Sequence, residues 1–262
     1  MPKVSYERRG AAGVLTIERP ERRNAVDPET ADLLLEGYRG FEDDDEARVL
    51  VLNGAGDEAF CAGADLKSMA AAGNDPEIAE QWLAERPDGP LGFTRLTSSK
   101  PTIAAISGWA LAGGLELALW CDLRIGTETA KLGFPERRWG VPLIDGGTQR
   151  LPRIIGIGRG LDLILSGRTV EADEALAMGL LTEVVAPGKH LERALEIAEG
   201  LAGFPQETML ADRRSAIEGF GLPLEAGLAR EAEIGGAVAA TGVEGAARFA
   251  SGEGRGGSGA GV

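Results

Sequence analysis

The sequence predicts an α/β core followed by an all-helical C-terminal region. Three observations lead there. First, residues 100–122, KPTIAAISGWALAGGLELALWCD, open with the apolar, partly β-branched run Thr102-Ile103-Ala104-Ala105-Ile106 between Pro101 and Ser107-Gly108, which reads as a short buried strand. Gly113-Gly114 follow, and then Leu115, Ala118 and Leu119 recur at helical spacing. Second, an earlier stretch repeats this order: residues 48–54, RVLVLNG, read as a strand, and a loop leads to residues 60–67, FCAGADLK, where a helix starts. Third, strand signals stop at about His190, beyond which 191–202, 206–219, 223–239 and 243–250 read as helices separated by Gly or Pro. The expected organisation is a core over 1–190, a helical region over 191–250 and a Gly-rich, disordered tail over 251–262.

The strand–turn–helix unit has a chemical consequence. A helix start leaves backbone N–H groups free and carries partial positive charge. Such a place suits an oxygen that gains negative charge during a reaction. Two copies would supply two donors, the amides of Ala64 and Gly113, which together could form an oxyanion hole. The competing reading is that both are only tight connections where small residues let a helix pack closely on a strand. Glu116, in the first turn of the second helix, puts a carboxylate beside the anion site. That pairing makes sense if the anion is transient and the carboxylate handles protons.

The remaining elements follow in order. Val14 to Glu18 alternates and reads as a strand, followed by a charged turn at residues 19–24. Asp27-Pro28 is a helix start, with Ala31, Leu34, Leu35, Tyr38 and Phe41 on one apolar face. Residues 42–46, EDDDE, read as a solvated acidic loop. Residues 73–99, punctuated by Pro76, Pro87, Gly89 and Pro90 with Trp82, Leu83, Leu91 and Phe93 scattered among them, read as an irregular loop that either walls a binding pocket or covers the surface. Residues 123–126 read as a strand, 131–140 as a turn-rich stretch holding Glu136, and a helix is expected from about Gln149. Further helices are expected over 160–165 and from Thr169 to a cap at Gly179, with a strand at 181–185.

Composition narrows the function. The 262 residues allow one large domain with ample core, and 44% hydrophobic residues is ordinary for a globular chain. A net charge of −14 opposes nucleic acid and anionic membranes as partners. No apolar run is long enough to span a bilayer and no leader opens the chain, so a cytoplasmic location is expected. Cys61 and Cys121 read as small core residues rather than a disulfide, and two thiols with one histidine leave no evident metal site. His190 reads as a solvated loop residue, so proton transfer falls to carboxylates.

Taken together, residues 60–69 (FCAGADLKSM), 100–125, 132–153 (LGFPERRWGVPLIDGGTQRLPR) and 166–185 resemble the crotonase, or enoyl-CoA hydratase/isomerase, superfamily. The resemblance implies a crotonase-like spiral of ββα units whose C-terminal helices mediate trimerisation, as a homotrimer or a dimer of trimers. It implies an acyl-CoA substrate, coenzyme A being part of that substrate and no separate cofactor being needed. The thioester carbonyl would lie between the amides of Ala64 and Gly113. The CoA side of the site would involve Ala62, Asp65, Leu66, Lys67 and Gly114, with Arg22 and Arg23 as phosphate partners. In hydratases of this superfamily two glutamates move the protons, and their counterparts are Glu116, to activate water, and Glu136, to deliver a proton to Cα. The expected activity is enoyl-CoA hydration. Its rivals are double-bond isomerisation on the same scaffold and acyl-CoA binding without turnover. Two departures from the common pattern stand out. Trp139 replaces an aliphatic residue and would reshape the acyl pocket or pack in the core. Asp145 stands where a small residue is usual; it reads first as the N-cap of the following helix and second as a third catalytic acid.

Overall fold

A computed structural model describes residues 2–71, 77, 81 and 83–252. The expected α/β core is present, with one more sheet than the sequence revealed. The larger sheet has six strands in the order β1 (Val4–Arg9), β2 (Ala12–Ile17), β3 (Val49–Gly54), β5 (Thr102–Ile106), β7 (Leu123–Thr127) and β10 (Glu183–Val185). The β1–β2 pair is antiparallel and every other neighbour is parallel. The second sheet has four three-residue strands: β4 (Ala59–Cys61), β6 (Trp109–Leu111), β8 (Lys131–Gly133) and β9 (Thr169–Glu171). Thr169-Val170 therefore belongs to a strand, and the helix expected there, α6 (Ala172–Ala177), begins after it.

The central strands are apolar throughout because both faces are covered. Val14, Val49, Val51, Ile103, Ala105 and Ile125 face Ala194 and Ala198 of α7 (His190–Gly203). The alternate residues Leu15, Leu50, Leu52, Ala104 and Ile106 face the main core, with Phe60, Phe93, Leu115 and Phe134. The helical run does begin at His190, but its first helix is a layer of the core. His190 itself is not a solvated loop residue. It is 6% exposed, its Nδ1 has no hydrogen-bond partner among the described residues, and burial lowers its pKa. Helices α8 (Gln206–Gly219), α9 (Leu224–Ala237) and α10 (Ala239–Ser251) lie beyond it.

Helix α1 (Pro28–Asp43) is capped as expected, the Asp27 side chain accepting from the Thr30 amide. The acidic run after it is tethered rather than free. Glu42 accepts the hydroxyls of Ser98 and Ser99 at 2.5 and 2.6 Å, and Asp44 accepts the Glu46 and Ala47 amides. Cys61 and Cys121 are both free and buried. Pro76 and Trp82, and the tail beyond Gly252, lie outside the described residues. No helix of the described residues is long and apolar enough to cross a membrane.

Candidate active site

Two strand–turn–helix units meet at the site. In the first, β4 leads through Ala62-Gly63-Ala64 into α2 (Leu66–Ala71). In the second, β6 leads through Ala112 into α3 (Gly113–Trp120). Their turns touch: a Cβ on Gly63, which sits at φ +88°, would lie 2.8 Å from the Gly113 nitrogen. A Cβ on Gly114 would lie 2.0 Å from the Cys61 carbonyl oxygen. Only glycine allows this approach, and it brings the segments of Ala64 and Gly113 side by side.

The Ala64 segment is held from behind. The Val26 amide donates to Gly63 O and the Asp65 amide to Val26 O, both at 2.8 Å, so residue 64 is passed over and its own amide is left unpaired among the described residues. The Gly113 amide, at the first position of α3, is likewise unpaired among them. Arg19, which the sequence offered only as part of a charged turn, organises this region. It is 8% exposed, pairs with both Asp27 (3.1 Å) and Asp65 (3.0 Å), and donates to the Ala25 carbonyl. The Asp65 carboxylate thus holds Arg19 and caps α2 through the Lys67 and Ser68 amides, leaving it committed to the scaffold.

Both glutamates line one cavity of about 210 Å³, together with Ala62, Ala64, Gly113 and Asp145. Glu116 is 2% exposed, and its Oε1 accepts the amides of Asp145 (3.0 Å) and Gly147 (2.7 Å). Burial pushes its pKa up to about 8, against the pull of those two donors and with added repulsion from Asp145 and Glu136. Glu136 comes from a different element, the 3₁₀ turn Pro135–Trp139. It is buried, neither carboxyl oxygen has a hydrogen-bond partner among the described residues, and burial raises its pKa too. Two carboxyl groups with elevated proton affinity and two unpaired amides therefore border the same space.

The other expected site residues divide. Pro90 and Leu91 do wall the cavity. Trp139 does not pack in the core; it is 74% exposed at the cavity rim, near Leu66 and Met69. Arg22, Arg23, Lys67 and Leu66 border an adjoining open cavity of about 560 Å³ that shares Ala62 and Ala64 with the first. Arg23 is engaged there with Glu58 at 2.7 Å, whereas Arg22 and Lys67 have no ion-pair partner among the described residues. Gly114 lines neither cavity and serves the close approach to Cys61. Asp145 is not the helix cap: α4 (Gly147–Ile155) is preceded by Gly146 at φ +102° with no side-chain cap, and the Asp145 Oδ1 accepts instead from the Leu91 amide and the Thr94 hydroxyl. Among the described residues no group of acids, histidines and cysteines could hold a metal ion.

This fold and these motifs define an acyl-CoA enzyme scaffold of one family, and the comparisons with known proteins identify it. The enoyl-CoA hydratase/isomerase family matches residues 7–250, and the chain belongs to that family, the crotonase superfamily. Among its relatives, a probable enoyl-CoA hydratase of Rhizobium meliloti is 38% identical over 87% of this chain and 86% of its own length. The short-chain-enoyl-CoA hydratase of Clostridium acetobutylicum is 36% identical over 88% of this chain and 87% of its own. The crystal structure of enoyl-CoA hydratase EchA1 from Mycobacterium marinum superposes with a TM-score of 0.86 at 32% identity, covering 96% of each chain.

Proposed function

We propose that this protein is an enoyl-CoA hydratase that adds water reversibly across the double bond of a trans-2-enoyl-CoA. The observation that carries the reading is that Glu116 and Glu136 line one cavity together with Ala64 and Gly113, whose amides are unpaired among the described residues. In this mechanism Glu116 takes a proton from water as the water oxygen bonds to Cβ. Electron density moves onto the thioester oxygen, where the two amides stabilise the enolate. Such a donor is typically worth about 3–4 kcal/mol in the transition state. Glu136 then gives its proton to Cα, and a proton returns to it before the next turnover. A proton affinity near neutrality, as burial imposes on Glu116, suits a group that must accept and release a proton in each cycle. The unpartnered Glu136 carboxyl holds its proton readily, as an acid must. Arg22 and Lys67, in the adjoining cavity, would meet the CoA phosphates.

The test is hydration of short, medium and long trans-2-enoyl-CoAs, followed by loss of the conjugated thioester absorbance and by product mass. Wild type is expected to add water. Glu116→Gln and Glu136→Gln should each lower kcat by roughly 10²- to 10⁴-fold with little change in KM. A double-bond shift without gain of water mass would replace the reading with isomerisation. Tight binding of every substrate with no turnover would replace it with a binding role.

A further inference from the structure

Asp145 joins three parts of the site through one residue. Its backbone amide donates to Oε1 of Glu116 at 3.0 Å. Its Oδ1 accepts from the Leu91 amide at 3.0 Å and from the Thr94 hydroxyl, both on the loop that walls the cavity. Its backbone carbonyl accepts from Arg150 Nη1 at 2.8 Å, while Nη2 of the same guanidinium donates to the Thr94 carbonyl at 2.5 Å. The wall loop and the loop before α4 are thus tied twice, by the Asp145 side chain and by the Arg150 fork.

The tie bears on both halves of the proposed chemistry. A Cβ on Gly113 would lie 2.5 Å from Leu91 Cδ1, so the Leu91 side chain rests against the residue that offers one of the two amides. The backbone is shaped to permit the tie. A Cβ on Gly89 would lie 2.2 Å from Thr94 Oγ1, and one on Gly146 would lie 2.1 Å from Arg150 Nη1. Asp145 is 4% exposed and most of its hydrogen-bonding capacity on Oδ1 is engaged with the wall loop, which is an arrangement for holding rather than for shuttling protons.

We propose that Asp145 is a positioning residue that locks the 89–95 wall loop to the carboxylate of Glu116, and through Leu91 sets that wall against the Gly113 amide. The proposal rests on the hydratase reading for its kinetic consequences. A misplacement of about 1 Å at such a site is enough to lose roughly 10²-fold in rate.

The experiment compares Asp145→Asn, Asp145→Ala and Thr94→Val in the full chain. Asparagine keeps an acceptor for Leu91 and Thr94, so Asp145→Asn should retain kcat within about threefold of wild type. Asp145→Ala should lose roughly 30- to 100-fold, mostly in kcat, and Thr94→Val, which removes one of the two bonds without altering the acid, should fall between. Amide hydrogen exchange in peptides covering residues 89–95 should quicken in Asp145→Ala and stay at the wild-type rate in Asp145→Asn. That second readout holds whether or not wild type hydrates enoyl-CoA, so loss of the hydratase reading and loss of this one are separable. Two results overturn the proposal. One is Asp145→Asn falling as far as Asp145→Ala, which would make the acid itself the active element. The other is Asp145→Ala with wild-type kinetics and wild-type exchange. If Asp145→Ala does not fold, wild-type kinetics and exchange in Thr94→Val overturn it instead.

Discussion

Glu116 is the one charged side chain in a helix whose every residue after Gly113 is buried, so its ionisation works against the fold. Its pKa is raised from 4.5 to about 8, chiefly by burial. A carboxyl raised in the folded state is most favourable when protonated. Its contribution to stability is fully present below about pH 4.5 and is lost as pH climbs towards 8. Glu116→Gln cannot ionise, and its side-chain oxygen can still accept from the Asp145 and Gly147 amides. The variant should therefore match wild type near pH 5 and exceed it increasingly up to pH 9. The difference is bounded at about 5 kcal/mol by the size of the shift. Urea unfolding of both proteins at pH 5, 7 and 9, at one protein concentration, measures it. Parallel stability curves across that range would show that the carboxyl is already ionised at no cost in the folded protein. In the proposed mechanism the same group takes a proton, so the residue that the fold would gain by neutralising is the one that mechanism requires charged.

At the scale of elements, close approach is the principle that builds the site, and it is testable at one atom. A Cβ on Gly114 would meet the backbone carbonyl of Cys61 at 2.0 Å, and a carbonyl cannot swing away as a side chain can. Gly114→Ala should cost at least about 3 kcal/mol by forcing α3 off β4. Gly158→Ala, within α5 (Ile157–Ser166), where an added Cβ would meet nothing beyond its own helix within 4 Å among the described residues, should be neutral or stabilising by up to about 1 kcal/mol. Thermal unfolding of the pair gives the comparison, and equal midpoints would remove the packing argument. The same distinction explains what could be read from the chain. Strands β3 and β5 and helices α1, α3 and α8 were legible because each lies within a contiguous stretch with its own pattern, as were Ala64, Gly113 and Glu116 at their turns; Glu136 was placed beside them only by the resemblance to the superfamily. The second sheet was not: strands of three residues carry no measurable period, and β4, β6, β8 and β9 exist only through one another. Asp145 misled for a related reason. It occupies a cap-like position before α4, but its partners Leu91 and Thr94 stand 54 and 51 residues earlier, and no local rule connects them. His190 misled because an N-terminal helix residue looks exposed until the sheet beneath α7 is known.

For the whole molecule the question is what the last three helices do, since the first of the helical run already closes the core. They and the turn after α8 leave several large apolar side chains exposed. Leu224 is 78% exposed, Val243 70%, Phe249 63%, Phe220 62% and Leu228 53%. A chain with a net charge of −14 resists indiscriminate clustering, so the exposed apolar residues of these helices are better placed for a defined partner than for aggregation. A second and third copy of the same chain would bury them with closed symmetry. The crotonase resemblance implies three or six chains in solution, and these exposed helices are where such copies would meet; light scattering on a sizing column measures the state. Leu224→Glu combined with Leu228→Glu would put charge into that contact and should shift the mass to one chain while leaving the α/β core folded by circular dichroism. A wild-type protein that runs as a single chain at tens of micromolar would remove assembly as the explanation for these surfaces. An assembled double variant would place the contact elsewhere on the helices. Both glutamates and both amides line one cavity within one chain, so on the hydratase reading the dissociated variant should keep measurable hydration. Its loss of activity, if any, would then report how far neighbouring copies steady the site rather than supply it.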